Sequence, residues 1–319
     1  MSNYRKKAKK NYIDLEVTRM KKEQNKNKVK IYNFIIFISI VAFLISGYFL
    51  IKYFYLDPKH NDDVNGEIKE IYYSRENKEE SFDELRKINK DIIGWIRIEN
   101  TPIDYPVLES ENYLYKNYKS EYSRYGSIFT DNSSKLERNP QNIILHGHHM
   151  NNGSMFASIC DFANLTFYKA NPTFKFDTIY EKGKWKIISV FRTNTDPEHG
   201  EIFNYLVSDF GKNKDDFLEY IFQVRLRSII DTPVDVNEDD KIVTLSTCSY
   251  ELKDFRTVIV ARKIRENEDE NVDIERAKYN SKTLYPDAYY KKFGGSKPEV
   301  TNFKNALKEG KISWYKQKR

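Results

Sequence analysis

Hydrophobic and polar positions change rhythm several times along this chain. Between Lys30 and Lys52 lie 21 residues without a formal charge, IYNFIIFISIVAFLISGYFLI. As a helix rising about 1.5 Å per residue, this run is about 30 Å long, the thickness of a bilayer's hydrocarbon core. It lacks the polar face of a buried core helix. It also ends in bulky Tyr48, Phe49, Leu50 and Ile51 rather than in the small residues of a cleavage site. The pattern predicts an uncleaved membrane anchor over 31–51. Residues 52–80 are polar and read as a linker. Ser81 followed by Glu84 has the spacing of a capping box ahead of the helix FDELRKINK.

From Ile92 onward the rhythm shortens to apolar runs bounded by Asn, Asp, Gly and Pro. Strands are predicted over 93–98, 103–107, 126–129, 142–146, 173–179, 184–192, 241–247 and 256–264. The fold class is therefore mostly β, a largely antiparallel barrel or sandwich. Two helical stretches interrupt it, a short one over 154–162 and a longer one over 215–228. The longer one puts Phe217, Tyr220, Ile221, Val224 and Ile229 near one face, the spacing of packing against a core.

Composition narrows the classes. Charged residues make up 31% of the 319, which excludes a polytopic membrane protein, and 15% aromatics are too many for a mostly disordered chain. The net charge of +6 is unevenly spread: residues 1–30 carry +8 and residues 271–319 carry +7, which leaves −9 between them. An acidic middle is no nucleic-acid surface. Lysines precede the apolar run while Asp57, Asp62 and Asp63 follow it, so the positive-inside rule puts the N-terminus in the cytoplasm and the remainder outside. The basic leader, 1–30, then lies where it can touch anionic headgroups.

The last 55 residues begin with the acidic run ENEDEN and turn basic, with Tyr279, Tyr285, Tyr289, Tyr290, Phe293, Phe303, Trp314 and Tyr315 interspersed. Gly294, Gly295 and Pro298 break any long helix, and 301–309 forms at most a short one. Two readings fit: a solvated tail resting loosely on its own acidic domain, or an electrostatic tether to anionic polymers outside the membrane.

Two cysteines are too few for a disulfide framework or a four-thiolate metal site. A lone Cys160–Cys248 bridge is one reading. Their surroundings differ, however. Cys160 sits in SMFASICDF as a small apolar residue on a helix face, whereas Cys248 ends the buried-looking strand KIVTLSTC. Arg256 opens the following strand, and a hairpin brings it back beside Cys248. A fixed cation there lowers a thiol's pKa and holds a developing oxyanion. His146, His148 and His149 cluster in NIILHGHHMNNG at the end of another apolar strand. Asp161 is the nearest carboxylate and is not at ligand spacing, so a Cys–His pair for nucleophilic catalysis fits better than a metal. Ser246, two residues before Cys248, is a candidate substrate-binding residue on the same side.

TLSTC followed by Arg256, with GHHMNNGSMF a hundred residues earlier, resembles the sortases and among them class B. The resemblance runs from about Phe82 to Ile264 and includes an IIGWIRI-type opening strand. It implies an eight-stranded β-barrel with an N-terminal helix and a helical insertion before the Cys strand. It also implies a membrane-anchored cysteine transpeptidase without metal or organic cofactor, with Cys248 as nucleophile, His148 as acid and base, and Arg256 as substrate and oxyanion donor. Its partners are secreted proteins bearing a C-terminal sorting motif and an amine acceptor from peptidoglycan precursor or pilin. His146 departs from the family, where Tyr is frequent before the Gly. Strand alternation is expected to turn both His146 and His149 away from the site.

The domain plan is then a leader over 1–30, an anchor over 31–51, a linker over 52–80, a catalytic domain over 81–264 and an extension over 265–319. Two rivals carry different chemistry. A papain-like wall peptidase or amidase sets its Cys at a helix N-terminus upstream of its His, the reverse of the order here. A non-enzymatic wall-binding module leaves Cys248 inert.

Overall fold

The computed structural model describes residues 2–211 and 213–315. The chain divides into two compact units, the first ending at Asp62 and the second beginning at Asp63. In the first, α1 (Ser2–Ile51) leads into a π-helical turn, Lys52–Leu56. The helical run Lys9–Tyr73 holds the one stretch among the described residues long and apolar enough to cross a membrane, and none of that stretch is buried.

The second unit is built on a closed barrel. Its strands are β1 (Ile92–Arg97), β2 (Asp104–Glu109), β3 (Ile128–Thr130), β4 (Asn142–His146), β5 (Thr173–Thr178), β6 (Lys184–Asn194), β8 (Ile242–Ser249) and β9 (Phe255–Lys263). They are ordered β1-β2-β3-β4-β8-β9-β6-β5 around the wall. Each predicted strand is present, with ends shifted by two residues or fewer. Six of the eight pairings are antiparallel, while β2–β3 and β4–β8 run parallel. Closure leaves no unpaired sheet edge. Two short strands outside the barrel, β7 (Ile230–Asp231) and β10 (Lys278–Tyr279), pair with each other.

Alternation along the strands fills three apolar clusters. Val243 and Leu245 of β8 and Ile259 and Ala261 of β9 point into the barrel. Ile242, Val258 and Val260 point outward, beneath α5 (Lys214–Arg227). A strand buried on both faces reads as a continuous apolar run, as KIVTL does. α5 starts at Asn213, whose side chain accepts from Asp215 N, and it buries Phe217, Tyr220, Ile221 and Val224 as their spacing predicts. The predicted helix over 154–162 is a 3-10 helix, Ala157–Ala163, followed by α4 (Leu165–Ala170).

The third cluster corrects the linker expectation. Residues 57–73 form a helix, α2 (Asp57–Tyr73), and its Val64, Ile68 and Tyr72, at i, i+4 and i+8, pack on the barrel wall with Phe82, Leu85 and Trp95. The Tyr72 ring stacks on Trp95 with centroids 4.2 Å apart, and its hydroxyl donates to Asp177 at 2.9 Å. Val64, Ile68 and Tyr72, spread over nine residues of a mostly polar segment, gave too narrow a stripe to stand out. The next helix, α3 (Lys78–Ile88), is capped by Asn77 and not by Ser81. Ser81 lies inside the helix, its hydroxyl bonded back to Asn77 O at 3.3 Å.

The C-terminal extension is packed, contrary to the solvated reading. It carries two short helices, α6 (Asp287–Phe293) and α7 (Phe303–Lys308). Phe303 and Ala306 of α7 are buried in the α5 cluster, and Phe303 N donates to Glu219. Backbone bonds from Leu284 N to Leu226 O and from Val236 N to Trp314 O stitch the extension along its length. Its root is an ionic knot in which fully buried Arg262 meets Glu268 through two nitrogens, with Lys186 on the same carboxylate. Residues 316–319, the last part of the predicted basic tail, and Met1 of the leader lie outside the described residues.

Candidate active site

Strand register assembles the site. His146, Ser246 and Val258 form one rung across β4, β8 and β9. Two residues further toward the rim lie His148, Cys248 and Arg256, with Cys248 and Arg256 direct cross-strand partners. Neighbouring strands are about 4.8 Å apart, so the three backbones lie within about 10 Å of one another. Beyond the end of β4 the contact continues: Gly147 N donates to Ser246 O at 3.3 Å, and Thr247 Oγ1 donates to Gly147 O at 2.8 Å. Gly147 is required here because a Cβ would meet Ile128 Cδ1 at 2.5 Å and Phe156 Cγ at 2.7 Å.

The His148 ring is bonded through Nε2 to Leu114 O at 2.7 Å and lies against Tyr115 with centroids 5.3 Å apart. A carbonyl only accepts, so Nε2 carries the proton. The segment before β3 that presents Leu114 and Tyr115 held no sequence signal for this role. His149, also beyond the end of β4, has partners of its own. Its Nδ1 donates to Cys248 O at 2.9 Å and lies 3.4 Å from Cys160 Sγ. Alternation does not explain His146, which is two residues from His148. What sets His146 apart is a partner, since its Nε2 is 3.4 Å from Asp131 Oδ2. That contact holds the Asp131 carboxyl well below the usual carboxylate range.

The two cysteines are free and chemically unlike, so the lone-disulfide reading is set aside. Cys160 lies among Thr257, His149 and the Cys248 carbonyl, and burial pushes its thiol up to about 11. Ser246 is only 2% exposed, and its Oγ is 2.9 Å from Tyr205 Oη. It shares the face of Cys248 but is covered, so its observed partner is Tyr205, a residue for which the sequence gave no cue. The β8–β9 loop is pinned over the site. Tyr250 Oη donates to His149 O at 2.9 Å, and Thr195 N donates to Asp254 O at 2.9 Å. Among the described residues no cluster of three or more His, Cys, Asp or Glu could hold a metal ion.

This arrangement has known counterparts. The family model for the Sortase domain matches residues 96–264. Sortase B of Listeria monocytogenes serovar 1/2a is 36% identical over 225 residues, covering 67% of this chain and 87% of that protein. Sortase B of Staphylococcus aureus is 31% identical over 236 residues, covering 71% and 93%. The solved Staphylococcus aureus sortase B–substrate complex is similar with a TM-score of 0.60 at 31% identity, covering 66% of this chain and 99% of that one. Clostridium perfringens sortase B gives 0.52 at 34% identity, covering 58% and 100%. With the eight-stranded barrel and the family match in agreement, the chain belongs to the sortase family of cysteine transpeptidases, in class B.

Proposed function

We propose that this transpeptidase cleaves a C-terminal sorting motif of secreted proteins through Cys248 and passes the acyl group to an amine of the cell wall or of a pilin. The Cys248 thiolate attacks the scissile carbonyl, and Arg256 donates to the substrate or to the oxyanion of the tetrahedral intermediate. His148 gives its proton to the departing amine, which leaves a thioester. An incoming amine then attacks the thioester while His148 takes a proton back, and Cys248 is released. The observation that carries this reading is the shared rim position of His148, Cys248 and Arg256 on three neighbouring strands. The hydrogen bond of His148 to Leu114 O holds the ring beside the site, and catalytic hydrogen bonds tighten when substrate arrives. Structures of sortase B with a substrate and with triglycine support a peptide donor and an amine acceptor.

In the same reading residues 31–51 span the membrane, the leader is cytoplasmic and the barrel lies outside. The exposed apolar helix supports this, as do the lysines before it and the aspartates after it. The test is mass spectrometry of the thioester formed with a pentapeptide library, alongside transpeptidation rates of variants. Cys248→Ala and His148→Ala are expected to abolish turnover, and Arg256→Ala to lower it by about 10²-fold, as loss of an oxyanion donor does. Full activity in His148→Ala, with loss in His146→Ala or His149→Ala instead, refutes the assignment.

A further inference from the structure

Where the C-terminal extension returns to α5 it encloses a cavity of about 530 Å³ on the barrel's flank. Arg225, Arg276, Lys278, Lys282 and Lys311 line it against one carboxylate, Asp231. Two cations elsewhere on the extension find carboxylates: Lys297 reaches Asp287 at 2.9 Å, and Lys304 reaches Asp215 at 3.0 Å. Around the cavity three of the cations do not. Glu275 turns toward Lys169, Lys311 is bonded to Glu309, and the ion pairs among the described residues include none of Arg276, Lys278 and Lys282. These three side chains are exposed, and Lys278 is fixed by the short pairing of β10 with β7.

The floor of the cavity adds a second, independent observation. Arg225 gives its terminal nitrogens to Thr232 and to Val234 O, while its buried Nε has no hydrogen-bond partner among the described residues. Burial pulls this guanidinium down to about 10, and no carboxylate among the described residues is in ion-pair contact with it. A largely enclosed guanidinium that Asp231 and Asp235 reach only through space is costly, and an anion in direct contact within the cavity would relieve that cost. The number and kind of cations select the anion. A single carboxylate neutralises one charge, whereas a tetrahedral phosphate offers several acceptor oxygens to guanidinium and ammonium donors together.

We propose that this cavity is a binding site for a phosphate-bearing anion, built jointly by α5 and the C-terminal extension and separate from the Cys248 site. The extension is then a folded anion receptor, not a diffuse basic tail. The cavity has room for a phosphate together with part of the group that bears it, and successive groups of a phosphodiester polymer continue over Lys278 and Lys282.

Trp314 lines the cavity and is half-buried, whereas Trp95 and Trp185 are enclosed in the barrel clusters, so Trp314 emission reports on the site. The test titrates the full-length protein in detergent micelles with soluble poly(glycerol phosphate) and, separately, with sodium orthophosphate. Saturable change in Trp314 emission is expected, and it is lost in Trp314→Phe. Arg276→Gln/Lys278→Gln/Lys282→Gln is expected to weaken binding by at least about tenfold, equivalent to about 1.4 kcal/mol. A control that removes equal charge elsewhere on the extension, Lys291→Gln/Lys304→Gln/Lys308→Gln, is expected to change it by less than about threefold. Saturation by orthophosphate supports the site with free phosphate as occupant, and saturation by the polymer alone supports it with a phosphodiester chain. Equal weakening in both triple variants, or no saturable signal with either probe, overturns the proposal.

Discussion

Glu268→Gln perturbs the ionic knot at the root of the extension without changing the shape of the side chain. Arg262 is 0% exposed, and Glu268 meets it with both oxygens, at 2.5 and 2.7 Å. The same carboxylate accepts from Lys186 Nζ at 2.8 Å and from Arg265 N at 3.0 Å. Burial by itself would raise the Glu268 pKa, but the hydrogen bonds from Arg262 and Lys186 outweigh it and hold the carboxyl at about 2. A carboxyl brought from about 4.5 to about 2 contributes about 3 kcal/mol at pH 7. Breaking a buried pair by removing one partner costs about 3–5 kcal/mol, and Arg262 keeps Asp235 at 3.3 Å, so the lower end applies. In a unit of this size the expected fall in Tm is about 6–12 °C.

The sign of the pH dependence follows from a depressed folded-state pKa. The contribution is complete above about pH 4.5 and is lost as the pH falls toward about 2. At pH 3.5 the deficit of the variant should therefore have shrunk by about two-fifths. Thermal unfolding of the native protein and the variant, followed by near-UV circular dichroism at pH 7 and pH 3.5, checks both numbers. An unchanged Tm at pH 7, or a deficit that does not shrink in acid, refutes the reasoning.

Three further outcomes are expected. Deleting residues 1–76 removes Val64, Ile68 and Tyr72 from the barrel wall and should cost about 4 kcal/mol or more relative to deleting 1–56, measured by urea unfolding. Iodoacetamide at pH 7.5 should label Cys248 and leave Cys160 nearly untouched. In Cys248→Ala, labelling of Cys160 should rise only as the pH approaches about 11, as followed by intact mass. Gly147→Ala forces a methyl against Ile128 and Phe156, which should cost about 1–3 kcal/mol and slow turnover by moving His148, as melting and rate assays on one preparation would reveal.

Much of this protein was legible in the chain because the signals were local. An uncharged run of 21 residues specifies a helix of membrane length on composition alone. Eight alternating runs bounded by turn residues yielded all eight barrel strands. TLSTC and GHHM lie at strand ends, so the register of a closed sheet decided their convergence.

Tertiary structure decided what depends on a partner distant in sequence. Val64, Ile68 and Tyr72 become a core face only because Trp95 lies opposite them, and Ser81 loses the cap position because Asn77 takes it. His146 is set apart by Asp131 and Ser246 is covered by Tyr205, neither of which any spacing rule links to them. Phe303, Trp314 and Tyr315 of the extension have no period of their own, since the surface they pack on belongs to α5. Periodicity reports the face that a segment buries, whereas the identity of the surface across from it is set only once the chain closes on itself.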